Sequence, residues 1–273
     1  MTGGYRPLLF SYTACVRSLA VVHNETANIV THGLGAVLWA VLFVLVSARL
    51  EDYGVVETAE RLCFQAYMLA ALACHCASTC FHTFNCHSHD VHVTCLNADL
   101  SGITALIALS YFPPIYAAFS CWPTWRLVYL SAVGLLALAL VVLPNAWPPF
   151  VRDPRFRMLR VVLYSGLALF GVLPSVHVNM LRGFWAVWPL TKRIVTMYLI
   201  YACGVVVYLT RFPESIKHTV RSRGWRVTIR ETRFDVFGSH AIWHLIVTSG
   251  TLYHLSSCLA IAAARDDLPC PSP

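Results

Sequence analysis

The amino-acid sequence predicts an all-α membrane protein, a seven-transmembrane helix bundle, and three observations carry that expectation. Charged residues make up 12% of the 273-residue chain and hydrophobic residues 58%, against roughly 25% charged in ordinary soluble domains. Such a chain cannot supply the polar surface of a soluble fold, so lipid is the simpler solvent. Its length accommodates about seven spans of ~20 residues with short connections. The apolar stretches are also separated by charged or proline-rich breaks.

In chain order the stretches run over 29–49, 62–84, 95–117, 124–144, 157–177, 190–210 and 240–263. Glu51, Asp52, Glu57 and Glu60 follow the first. Pro113, Pro114 and Pro123 end the third. Pro144, Pro148, Pro149 and Pro154 stand with Arg152, Arg155 and Arg157 after the fourth. Residues 1–28 form an N-terminal segment, 29–263 the transmembrane domain and 264–273 a short tail. Residues 1–20 contain Arg6 and Arg17 but no long apolar run before a small-residue cleavage site. No cleavable signal peptide is expected, and the first span serves as its own insertion signal.

Orientation follows from Lys and Arg in alternate loops, which are biased roughly two to one toward the side holding the N-terminus. The expectation is a cytoplasmic N-terminus and an extracellular or lumenal C-terminus. G-protein-coupled receptors have the opposite orientation, and their Asp-Arg-Tyr and Asn-Pro-x-x-Tyr signatures are missing. The basic 211–239 connection carries Arg221, Arg223, Arg226, Arg230 and Arg233, suited to anionic lipids at the inner face. Nucleic-acid binding has no support beyond charge. Of the eleven cysteines, most lie in apolar stretches, where a thiol packs as a small hydrophobe. Cys121 and Cys270 fall on the outer side, within which a bridge is conceivable.

Ionisable groups within a span are costly, so each asks for a partner or a task. Helix 2 carries Ser78 and His82 near its end, helix 3 carries Asp99 near its start, and helix 7 opens with Ser239, His240 and His244. By parity these three places share one membrane face, cytoplasmic by the charge count. His240 and His244 are four apart and project from one helix face, as do Ser78 and His82. Three imidazoles, His82, His240 and His244, suit zinc, with a fourth position left to water. Asp99 would orient that water or act as general base, and Ser78 would hydrogen-bond a reacting oxygen. The bland alternative is that the histidines are hydrogen-bonded packing residues.

Other polar residues get structural readings. His75 lies ~10 Å along the helix from His82, too far for one ion. His87, His89 and His92 are read as a solvated loop. His177 ends helix 5 on the opposite side. His32 is a packing or headgroup contact, and Glu25 and Asn28 cap helix 1 and bond inner-loop donors.

Together these residues resemble the progestin and adipoQ receptor family, which is related to hemolysin III. The resemblance rests on Asn24-Glu25-x-x-Asn28-Ile29-x-Thr31-His32 and on Ser78-x-x-x-His82 followed by Cys86-His87-Ser88. Asp99-x-Ser101-Gly102 and Ser239-His240-x-x-x-His244 follow, with Gly171, Pro174, His177, Pro213-Glu214 and Phe234-Asp235 also in place. Gly4-Tyr5-Arg6-Pro7 and Cys15-x-Arg17-Ser18-Leu19 resemble that family's member-four branch. Val30 replaces the usual Trp and Ala241 a common Gln. An Arg-rich insertion of about a dozen residues separates Glu214 from Phe234, in place of a short Pro-Gly link.

The resemblance implies seven helices with an inward N-terminus, zinc on His82, His240 and His244, and a water-orienting Asp99. The wider superfamily includes alkaline ceramidases, which implies hydrolysis of a ceramide amide. Similar receptors take adiponectin or progestins, so an extracellular hormone ligand is a second implied partner. The expected activity is a zinc-dependent lipid amidohydrolase coupled to signalling, in the plasma membrane or the Golgi and endoplasmic reticulum. Its competitors are a non-catalytic hormone or lipid receptor with structural zinc, and a scaffold.

Overall fold

A computed structural model describes residues 5–215, 238–265, 267 and 270 of the chain. Among these residues all regular structure is helical. Seven helices are long and apolar enough to cross a membrane: Thr26–Ser47, Thr58–Phe84, His89–Ala118, Pro123–Pro144, Pro154–Arg182, Phe184–Thr210 and Ser239–Ala263. They are the first to seventh spans below. Most of the basic 211–239 connection, including Arg221, Arg223, Arg226, Arg230, Arg233 and Phe234-Asp235, lies outside the described residues.

The spans match the expected stretches and lengthen them at polar ends that hydropathy alone does not reach. The third starts at His89, because Ser88 caps it by accepting from the Val91 N–H. His89 and His92, read from sequence as a solvated loop, are therefore first-turn helical residues. His92 packs against Phe81.

Two spans are interrupted. The third breaks at Tyr111, just before Pro113 and Pro114, which lack the N–H a continuous helix needs. The fifth breaks between Leu169 and Val172. There the Tyr111 hydroxyl donates to the Leu167 carbonyl at 2.8 Å, the Tyr198 hydroxyl to Ala168 at 3.1 Å, and the Gly171 N–H reaches Tyr111 at 3.0 Å. Backbone groups freed within the membrane thus regain partners. A Cβ on Gly171 would stand 2.5 Å from the Tyr111 ring, so only glycine admits this arrangement.

The second span is central, packing along both the first and the third, while the seventh lies between the first and the sixth. Trp39, Phe64, Tyr67 and Met68 are fully buried there with Leu255 and Cys258. Small residues permit the close approach: a Cβ on Gly35 would meet the His75 ring at 2.3 Å. At the far end of the bundle the Arg265 guanidinium pairs with the fully buried Glu60 at 2.6 Å. A disulfide joins Cys121, before the fourth span, to Cys270 in the tail. The other nine cysteines are free.

Residues ahead of the first span form a strap across the end of the second. The Leu9 and Phe10 N–H groups donate to the Cys86 and His87 carbonyls. Arg6 donates to the Thr83 carbonyl at 3.0 Å and to the His82 carbonyl. A cation at a helix C-terminus satisfies carbonyls that have no intrahelical donor.

Candidate metal centre

His82 stands one turn before the end of the second span, and His240 and His244 lie on consecutive turns at the start of the seventh. Glu214 fixes that start by accepting from the Ser239 N–H at 2.7 Å and the Ser239 hydroxyl at 3.0 Å. The three rings converge, with centroids 4.5–5.1 Å apart. One ring nitrogen from each lies within 4.8 Å of the others, a group able to bind a metal ion.

The second ring nitrogens of His82 and His244 are occupied from the first span. His82 Nδ1 is 2.7 Å from Glu25 Oε2, which also accepts from Asn28 Nδ2 at 2.7 Å. His244 Nδ1 is 3.2 Å from Thr31 Oγ1. His82 Nε2 is buried with no partner in the protein. A buried imidazole nitrogen seldom stays unpaired, and here it belongs to a converging set of three. The donor set therefore fits a metal ion of the zinc class. Burial alone would raise the Glu25 carboxyl. Hydrogen bonds and charge from His82, together with Asn28 and Asn85, outweigh it and hold the group at about 2.

Asp99 faces the same end, with Ser78 and His82 as its polar neighbours. It lies outside the three-histidine group, and Ser78 is buried. Asp99, Ser78, His240 and His244 line one end of a cavity of about 440 Å³. The cavity runs between largely apolar walls toward Ile261 and Arg265. In its lining Arg157 bonds the Tyr208 hydroxyl at 3.1 Å, and the Tyr208 ring lies 6.1 Å from that of His240.

A scan against protein-family models matches the haemolysin-III related family over residues 20–255. The chain belongs to that family. Among curated relatives it is 30% identical to heptahelical transmembrane protein 1 of Arabidopsis thaliana, over 91% of this chain and 72% of that one. It is 30% identical to the adiponectin receptor protein of Drosophila melanogaster, over 96% of this chain and 56% of that one. It is 28% identical to progestin and adipoQ receptor-like protein 1 of Caenorhabditis elegans, over 98% and 58%. The chain spans little more than half the length of the last two. The progestin and adipoQ receptor resemblance read from the motifs is thus met, and the protein is a multi-pass, receptor-like member of the haemolysin-III related family.

Several residues occupy places that this family member's sequence did not disclose. Glu25 holds the N-cap position of the first span but makes no capping hydrogen bond; its carboxylate is turned to His82, which corrects the capping expectation. His32 is buried and its ring stacks on His244 at 3.6 Å and 20°, a packing contact and not a headgroup one. Thr31 gave no signal of its own. Glu25 did: an acid at the start of one span, at the depth of a histidine ending the next, is a pairing that parity predicts. His75 stays outside the group, bonded to the Ala71 carbonyl and to Thr248. His177 bonds the Tyr129 hydroxyl at 2.9 Å, remote from the three histidines.

Proposed function

We propose that this protein is a zinc-dependent membrane amidohydrolase acting on ceramide-like lipids, coupled to a receptor role. One observation carries the reading: three imidazoles converge, one with an unpartnered buried nitrogen, and two of them, His240 and His244, line a cavity together with Asp99 and Ser78. A bound zinc ion would polarise a carbonyl and bring the pKa of water to about 7. The apolar walls hold an acyl chain, and the polar head of the cavity receives the amide. Asp99 accepts a proton from the attacking water and returns it to the nitrogen as the C–N bond breaks; the second water proton leaves the new carboxyl group for the amine, giving a carboxylate and an ammonium. Ser78, beside Asp99, hydrogen-bonds the reacting oxygen.

In this reading the histidine end faces the cytoplasm and the tail faces the exterior or lumen, with the basic 211–239 connection against anionic lipids. The Cys121–Cys270 disulfide, at the opposite end from His82, supports that orientation because disulfides persist in oxidising compartments. A cysteine-labelling assay on intact and permeabilised cells tests it: the thiol of Tyr5→Cys, at an exposed position of the strap, should be shielded until the membrane is opened.

Purified full-length protein should release sphingosine from ceramide. His244→Ala should abolish both release and metal content. Asp99→Ala should retain metal and lose about 10²- to 10⁴-fold in turnover, the range of general acid–base catalysis. Similarity to the adiponectin receptor protein of Drosophila favours a second reading, a hormone receptor with structural zinc and no turnover. Its signature is ligand-dependent signalling undiminished in Asp99→Ala. Turnover unchanged in His244→Ala would eliminate the enzymatic reading.

A further inference from the structure

We infer that the first span is a tautomer-setting collar, in which Glu25 and Thr31 are positioning residues that make His82 and His244 both present Nε2 to the metal. The inference rests on the metal reading proposed above and concerns residues that do not themselves reach the ion.

The proton positions follow from what each partner can do. A carboxylate oxygen only accepts, so the 2.7 Å contact between Glu25 Oε2 and His82 requires the hydrogen on Nδ1. In a neutral ring the lone pair then falls on Nε2, the atom left buried without a partner. His244 reaches the same state by another route. The Thr31 hydroxyl lies 2.7 Å from the Ala27 carbonyl and 3.1 Å from the Asn28 carbonyl. Both are acceptors, so the Thr31 hydrogen points to one of them. Its oxygen is then free to accept from His244 Nδ1–H at 3.2 Å, which leaves Nε2 of His244 as the lone-pair nitrogen.

Rotation is restrained as well. The Glu25 carboxylate is itself held by Asn28 at 2.7 Å and by Asn24 at 3.0 Å. The His32 ring lies flat on His244 at 3.6 Å, so His244 cannot swing without displacing it. His240 receives no such bond from the first span. Its environment is the Tyr208 ring and the other two imidazoles. The collar thus governs two rings on two different spans, and it explains why polar residues crowd the opening turns of the first span. Partners that fix the tautomer of a metal-binding histidine typically change affinity 10- to 100-fold.

The test is metal affinity, not turnover. Full-length wild type in detergent micelles is stripped with a chelator and titrated with zinc against a chromophoric competitor, then with cobalt(II) for its absorption bands. Glu25→Ala should bind zinc about 10- to 100-fold more weakly and shift the cobalt bands. Glu25→Gln keeps an acceptor for Nδ1–H and should fall between. Thr31→Val should weaken binding, and Thr31→Ser should restore it. Matching melting temperatures of the metal-free proteins separate positioning from folding. If Glu25→Ala melts far lower, the Thr31→Val and Thr31→Ser pair, differing chiefly in one hydroxyl, decides. Wild-type affinity in both Glu25→Ala and Thr31→Val overturns the collar. Absence of zinc binding by wild type instead overturns the metal reading beneath it.

Discussion

The second and seventh spans and the fifth and sixth are all helices of membrane-crossing length, yet they pack in opposite ways. Of the most apolar window in each, 44% and 50% is buried in the first pair and 17% and 11% in the second. The better-buried pair is among the less hydropathic of the seven. Apolarity therefore does not mark the core of this bundle, because lipid solvates an apolar side chain as well as a neighbouring helix does. Small and polar residues mark it instead: Gly35 against His75, Thr248 against His75, and the Tyr67 hydroxyl on the Thr251 carbonyl at 2.8 Å. The result is a tight wall that fixes His82, His240 and His244. Facing it is a looser wall whose fifth span meets the sixth mainly through its second half. A fixed histidine set beside a less buried cavity wall is the arrangement that the proposed function requires.

Breaking the tie at the far end of the tight wall should have the largest effect on stability. Arg265 follows the seventh span and its guanidinium meets Glu60, at the start of the second, 2.6 Å away, while also donating to the Gly54 carbonyl at 2.8 Å. Glu60 is fully buried. Removing one partner from a buried pair costs about 3–5 kcal/mol, so Arg265→Ala should lower the melting temperature in detergent sharply. A melting curve close to wild type would mean that the second and seventh spans do not depend on each other at this end.

A smaller loss is expected where the first span approaches the second. Gly35→Ala places a methyl 2.3 Å from a His75 ring carbon. His75 is clamped between Ala71 and Thr248, so it cannot yield freely. Overpacking of this kind costs about 1–3 kcal/mol, again read from thermal melting.

Much of this wall and of the site was legible in the sequence. Hydropathy found all seven spans, parity brought His82 to His240 and His244, and helical spacing put the last two on one face. What escaped was what holds two of the histidines, His82 and His244. Glu25 stands at a helix start, where an acid is ordinarily a cap or a dipole partner, and only the packing of the first span against the second turns it to His82. Thr31 looks like any threonine in a helix until the seventh span is beside it. Ser88 is a local start signal three residues before Val91, but the polar histidines after it hide the helix from a hydropathy reading. Burial was not legible as apolarity, since the better-buried spans are the less hydropathic ones.

The looser wall gives the smallest and most discriminating expectation. Gly166 lies in the fifth span, and a Cβ built there meets nothing within 4 Å. Gly166→Ala removes a helix-weakening residue without creating a clash, a change of up to about 1 kcal/mol in favour of the helix. Its melting temperature should match or slightly exceed that of wild type, and Gly166→Leu should be tolerated too, its side chain lying in lipid. The same two substitutions at Gly35 should be progressively worse. Equal damage at both sites would mean that the fifth span is packed as tightly as the first, and the division between a fixed ligand wall and a compliant cavity wall would fall. A neutral Gly166→Leu beside a destabilised Gly35→Ala would instead locate the bundle's stability in the spans that hold the histidines, leaving the fifth span free to move aside for a bulky lipid.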